Sequence, residues 1–96
     1  MKSNILFVYG TLRSGHDNHY ARLLRANSEF LGPATILGSI CKIGEYLGYR
    51  PEPKGEVHGE LYRLTNPEET LRILDEYEGP DYERVMTDLG WVYQAR

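Results

Sequence analysis

Five consecutive apolar residues, Ile5-Leu6-Phe7-Val8-Tyr9, run straight into Gly10. An unbroken apolar run closed by a glycine predicts a short buried strand over roughly residues 4–9. A glycine at the end of such a strand lets the chain turn and lets a ligand approach the backbone closely. Polar residues then fill the interval to Gly15. The amides of Gly10, Thr11 and Leu12 can converge there on one concavity suited to a carboxylate or an oxyanion. The same pattern also describes a plain strand ending in a surface turn. What the rest of the chain adds decides between the two.

Ninety-six residues suffice for one small domain with one compact core, residues 1–96. Eight tyrosines and ten glycines suit short strands and tight turns better than a helical bundle. No apolar run is long enough to span a membrane as a helix. No leader pattern is visible at the N-terminus, and Cys41 has no partner for an internal disulfide, so a cytoplasmic location is expected. The net charge is −3 with scattered basic residues, which argues against nucleic acid as the partner. The sequence carries no signature of oligomeric state.

Asp17 or Asn18 is positioned to cap a short helix over residues 19–27, with Tyr20, Leu23 and Leu24 on one face. Phe30-Leu31-Gly32-Pro33 reads as a break. A strand is expected over 34–43, bent at Gly38. Residues 44–54, with two glycines and two prolines, read as a long loop whose Tyr46 and Tyr49 can cover a pocket. A third strand is expected over 55–64, with Val57, Gly59 and Leu61 on one face and His58, Glu60 and Tyr62 on the other. Asn66-Pro67 then opens the clearest helix, with Glu69 placed for a capping box. Thr70, Ile73, Leu74 and Tyr77 form its expected inner face, and Gly79-Pro80 ends it. Two strands close the chain, Tyr82 to Thr87 and Trp91 to Ala95, joined tightly at Asp88-Leu89-Gly90.

Asp75, Glu76 and Glu78 crowd the C-terminal end of that second helix, where the macrodipole favours cations. A carboxylate near a helix C-terminus, near other acids and near aromatic rings has its pKa raised. That is what a general acid/base working near neutral pH requires. The plainer reading is three solvated acids on a surface turn. Other candidate sets are weaker. His16, Asp17, His19 and His58 lack metal-ligand spacing. Cys41 has no adjacent base, and Ser14 and Ser39 lack a nucleophile elbow. Tyr82 fits equally as a substrate-positioning residue or a barrel side chain.

Phe7-Val8-Tyr9-Gly10-Thr11-Leu12-Arg13-Ser14-Gly15, with Asn18-His19 after it, resembles the opening signature of the gamma-glutamylcyclotransferase-like superfamily, which includes gamma-glutamylamine cyclotransferases and AIG2-like proteins. Gly55 to Tyr62, Leu74-Asp75-Glu76-Tyr77-Glu78-Gly79, Tyr82-Glu83-Arg84 and Trp91-Val92-Tyr93 continue the resemblance in order. It implies an α+β fold, a small mixed β-barrel flanked by short helices. It also implies a catalytic acid/base at Glu78 and a substrate-binding segment at Tyr9, Gly10, Thr11 and Leu12, with no cofactor or metal.

The activity so implied is cyclisation of a small-molecule gamma-glutamyl amide, of the gamma-glutamylamine type, to 5-oxoproline with release of an amine. Three alternatives remain beside it: action on gamma-glutamyl amino acids, removal of a gamma-glutamyl protecting group from a biosynthetic intermediate, and a non-enzymatic ligand-binding protein with the same cavity. The sequence departs from the family at Asp88-Leu89-Gly90, where relatives carry a longer connection. That departure bears on closure of one side of the pocket.

Overall fold

The computed structural model describes residues 4–10, 18–44 and 46–96. Thr11 and Leu12 lie outside them, as do Ser14, Gly15, His16 and Asp17. The described residues form β1 (Ile5–Val8), α1 (His19–Ala26), β2 (Ser28–Leu37), β3 (Ser39–Ile43), β4 (Tyr46–Arg50), β5 (Glu56–Leu64), α2 (Pro67–Glu78), β6 (Tyr82–Thr87) and β7 (Gly90–Ala95). The strands make one mixed sheet in the order β2-β5-β1-β7-β4-β3, with β6 paired to β7. β1 runs antiparallel to β5 and parallel to β7, and β4 is also parallel to β7. One side of β7 is paired with β6 along its length, while β1 meets it at Trp91 and β4 at Gln94.

Leu6 to Tyr9 of the apolar run are buried, and Ile5 partly so, because β1 is covered on both faces. Leu6 and Val8 pack with Leu24 of α1, Leu71 and Leu74 of α2, and Tyr62, Leu64 and Tyr93 of the neighbouring strands. Phe7 and Tyr9 point the other way, into a second cluster with Tyr49, Val57 and Val92. Ala34, Ile36, Leu61 and Val85 pack against that second cluster. Side chains from six strands meet there, so the sheet is curled around it: a half-barrel with two helices on its outer face. Gly38 makes the corner that curls it. It carries the chain from β2 to β3, at opposite ends of the strand order, and its N–H donates to the Gly55 carbonyl at 3.2 Å. A Cβ at Gly38 would collide with the Tyr49 ring and sit 2.6 Å from the Arg50 carbonyl oxygen.

The α+β architecture, both helices, the Gly38 bend and the closing hairpin agree with expectation. Asn18, rather than Asp17, is the cap of α1, and its Oδ1 accepts from the Ala21 N–H at 2.9 Å. Four local readings need correcting. Phe30 to Pro33 is not a break, because β2 starts at Ser28 and absorbs the irregularity as a bulge opposite Tyr62 and Leu61. Pro33 is tolerated because β2 is an edge strand with no ladder partner on its outer side among the described residues. Residues 44–54 are not all loop. Tyr46–Arg50 forms β4, antiparallel to β3 through the Gly44 turn, and both prolines fall after it. Tyr49 is therefore a buried strand residue rather than a cover. Asn66 makes no side-chain capping bond, and the Glu69 carboxylate accepts from Arg72 on its own helix. Leu71 rather than Ile73 completes the buried face of α2 with Thr70 and Leu74.

Candidate active site

The last turn of α2 separates the three acids by environment. Glu76 is exposed and lies 3.6 Å from Arg72 on its own helix. Asp75 faces the sheet. Arg84 of β6 grips it with two hydrogen bonds, Nε to Oδ1 at 2.8 Å and an Nη to Oδ2 at 3.1 Å. The Tyr93 hydroxyl of β7 donates to the same Oδ1 at 2.7 Å. Arg84 and Tyr93 are opposite one another in the β6–β7 ladder, so the antiparallel register places both on the face that meets α2. The Arg84 guanidinium also stacks over the Trp91 ring, 4.3 Å from its centroid. Burial works to raise the Asp75 carboxyl, but the hydrogen bonds from Arg84 and Tyr93 and the guanidinium charge more than offset it. Its pKa is lowered and it stays ionised.

Glu78 has the opposite fate. It is partly buried at the point where Gly79, at φ 76°, turns the chain off the helix. Loss of hydration and, second, the negative charge of Asp75 push its carboxyl up from 4.5 to about 7. A Glu at that value exchanges protons freely at neutral pH. Its charge is felt at the Tyr9, Tyr82 and Tyr93 hydroxyls, all of which are raised, burial being the first cause in each. Glu78 at the end of α2 therefore lies within electrostatic reach of Tyr9 at the end of β1.

At the end of β1, the Tyr9 hydroxyl is fully engaged. It donates to the Tyr93 carbonyl at 2.6 Å and accepts from the Tyr49 N–H at 2.8 Å. One side chain thus ties β1, β7 and β4 together immediately before Gly10. A Cβ at Gly10 would meet nothing within 4 Å among the described residues. Thr11 and Leu12 belong to the undescribed segment. Around this centre lie Tyr82, whose hydroxyl donates to the Leu47 carbonyl at 2.7 Å, and Cys41, whose sulfur accepts from Arg50 Nε at 3.3 Å. Tyr77 stacks on Tyr20 at 4.2 Å, with His19 edge-on to Tyr20 at 5.1 Å. His58 is paired with Thr35 across the exposed side of the β2–β5 ladder.

Sequence reasoning picked out Asp75 only as one acid among three and missed its partners. The signal was present. Arg84 is the only basic residue between the acid cluster and Ala95, and Trp91 and Tyr93 alternate onto one face of the final strand.

A family model described as "Gamma-glutamyl cyclotransferase, AIG2-like" matches residues 6–96. The chain belongs to this family. Relatives include the gamma-L-glutamyl-butirosin B gamma-glutamyl cyclotransferase of Niallia circulans, 36% identical over 105 residues. That alignment covers 92% of this chain and 64% of the relative, and it is longer than the chain itself. The relative therefore carries additional residues inside the matched region. The gamma-glutamylcyclotransferase family protein YtfP of Escherichia coli is 36% identical over 95 residues, covering 92% of this chain and 79% of its own. Among solved structures, an AIG2-like protein of Mus musculus superposes with a TM-score of 0.74 at 25% identity, covering 99% of this chain and 78% of that one. Family membership accounts for the curled sheet with two helices. Among the described residues no helix is long and apolar enough to cross a membrane.

Proposed function

We propose that this chain is a gamma-glutamyl cyclotransferase that converts a gamma-glutamyl amide to 5-oxoproline and a free amine, with Glu78 as its general acid/base. The observation that carries the reading is the Glu78 carboxyl, raised to about 7 by burial and by Asp75 and within electrostatic reach of Tyr9. The substrate's α-amino nitrogen attacks its own γ-carbonyl carbon. The ionised Glu78 takes a proton from that nitrogen as the ring closes. The resulting tetrahedral centre carries its negative charge on the former carbonyl oxygen. Protonated Glu78 then returns its proton to the departing amine nitrogen as the amide C–N bond breaks. One carboxylate near the working pH serves both transfers. Nucleophile and electrophile belong to one molecule, so the remaining task is to fold the substrate into its attack geometry.

The backbone of Gly10, Thr11 and Leu12 is assigned to the substrate's negative charge, either the oxyanion or the α-carboxylate. The Tyr9 hydroxyl is already shared between two backbone groups. Its part is to fix the end of β1 so that Gly10 is presented at a constant position. No metal or nucleotide enters this chemistry.

A second reading has support in the Niallia relative, whose name places the gamma-glutamyl group on a larger molecule, butirosin B. In that reading the leaving amine belongs to a biosynthetic intermediate rather than to a small amine. The test is 5-oxoproline release from a panel of gamma-glutamyl amines, gamma-glutamyl amino acids and a gamma-glutamylated aminoglycoside. Release from one class identifies the leaving group. A folded protein that binds these compounds and releases nothing from any of them is a binding protein.

A further inference from the structure

We propose that Asp75, Arg84 and Tyr93 act as one positioning unit for Glu78: an ion pair anchored on the β6–β7 ladder that holds the last turn of α2 against the sheet and keeps a permanent negative charge beside the acid/base. The proposal rests on the assignment of Glu78 made above, and it adds three residues that do not touch the reacting atoms.

The geometry is specific. α2 ends at Glu78, and helix ends fray because their last carbonyls lack intrahelical partners. Asp75 is one turn before that end, and three donated hydrogen bonds fasten it to two adjacent strands. A bidentate Arg–carboxylate pair fixes orientation as well as distance. The Arg84 fork is itself held from behind by the Trp91 ring. Tyr93 links this unit to the other half of the site: its hydroxyl holds Asp75, and its carbonyl receives the Tyr9 hydroxyl at the end of β1. The carboxylate and the Gly10 backbone are thereby referenced to the same strand residue. This arrangement supplies a reason for an acid at a helix C-terminus, where the dipole disfavours it. The helix end gains an anchor, and its neighbour gains a fixed charge.

The titratable groups that interact electrostatically with Glu78 are Asp75 from its own helix, Tyr9 at the end of β1, Tyr82 from β6 and Tyr93 from β7. Cys41 from β3 acts electrostatically on Tyr9 and Tyr82, Asp81 and Tyr77 act on Tyr82, and Arg84 acts on Asp75 and Tyr93. Among the charges acting directly on Glu78, Asp75 is the ionised one at neutral pH, since the tyrosines are raised and neutral.

The experiment is carboxyl-carbon NMR titration of the whole chain, wild type and Asp75→Asn, with folding checked by amide spectra. Removing the charge moves the Glu78 midpoint down by about half a unit or more, while burial keeps it above the ordinary value. Where the protein is active, the acid limb of its pH–rate profile moves down with it. An unchanged Glu78 midpoint in a folded Asp75→Asn overturns the proposal. Tyr93→Phe gives a milder arm should Asp75→Asn not fold. Loss of one donor raises the Asp75 midpoint by a measurable fraction of a unit, and an unmoved Asp75 overturns the unit. The titration reads Glu78 with or without turnover. Failure of the 5-oxoproline assay therefore removes the catalytic role and leaves this result standing on its own.

Discussion

Glu78 sits where a carboxylate is poorly solvated, and that has a thermodynamic consequence with a definite sign. Below about pH 4.5 the carboxyl is protonated in folded and unfolded chains alike, and nothing is lost. Between about 4.5 and about 7 the unfolded chain releases its proton first, so stability falls as pH rises. Above about 7 the loss is complete and amounts to at most about 3 kcal/mol. Glu78→Gln cannot ionise. It is expected to be more stable than wild type by up to that amount at about pH 8 and equal to it at about pH 4, measured by urea unfolding at both. Asp75, with a lowered pKa, runs the other way: its contribution is present at neutral pH and disappears only in strong acid. Tyr9→Phe removes one hydroxyl that satisfies two backbone groups. The expected cost is about 2 kcal/mol of unfolding free energy, with no new cavity to blame. The unusual acid cluster was legible from residue types alone. Its division into a paired Asp75 and a shielded Glu78 was not, because that depends on which strand faces which helix turn.

Among the elements, α2 and the β2–β3 corner matter most. The helix carries Glu78 within electrostatic reach of Tyr9, and its Asp75 is bonded to Arg84 of β6 and Tyr93 of β7. Breaking that grip by Asp75→Asn at neutral pH is expected to cost about 1 kcal/mol. The Asp75 side chain is 41% exposed, and solvent screening keeps such a pair modest. Gly38→Ala is expected to cost about 2 kcal/mol or more, because the new Cβ strikes the Tyr49 ring and the Arg50 carbonyl. Differential unfolding of the variant and wild type measures it. The helices and the terminal hairpin could be read from periodicity, caps and turn residues. β4 could not. Tyr46–Arg50 is short, lies between glycine and proline signals, and is held by its neighbours, through the β3 ladder and the Tyr9 hydroxyl on Tyr49. The start of β2 was hidden for a related reason: an edge position accepts a bulge and a proline that a central strand does not.

At the scale of the molecule, two clusters on opposite faces of one curled sheet explain how a short chain builds a rigid site. The outer cluster seats the helices, and the inner one fills the curl. β1 and β7 contribute to both, and the proposed catalytic centre lies where their ends meet the end of α2. Activity of this arrangement should follow ionisation of Glu78, rising as pH climbs through about 7. The central claim is tested most directly by 5-oxoproline release across that pH range, with wild type and Glu78→Gln side by side on the best gamma-glutamyl substrate. The account predicts a wild-type rate with an acid limb near 7 and a folded Glu78→Gln slower by at least about 100-fold, with the limb gone. A Glu78→Gln protein that keeps its rate and its pH profile would contradict it.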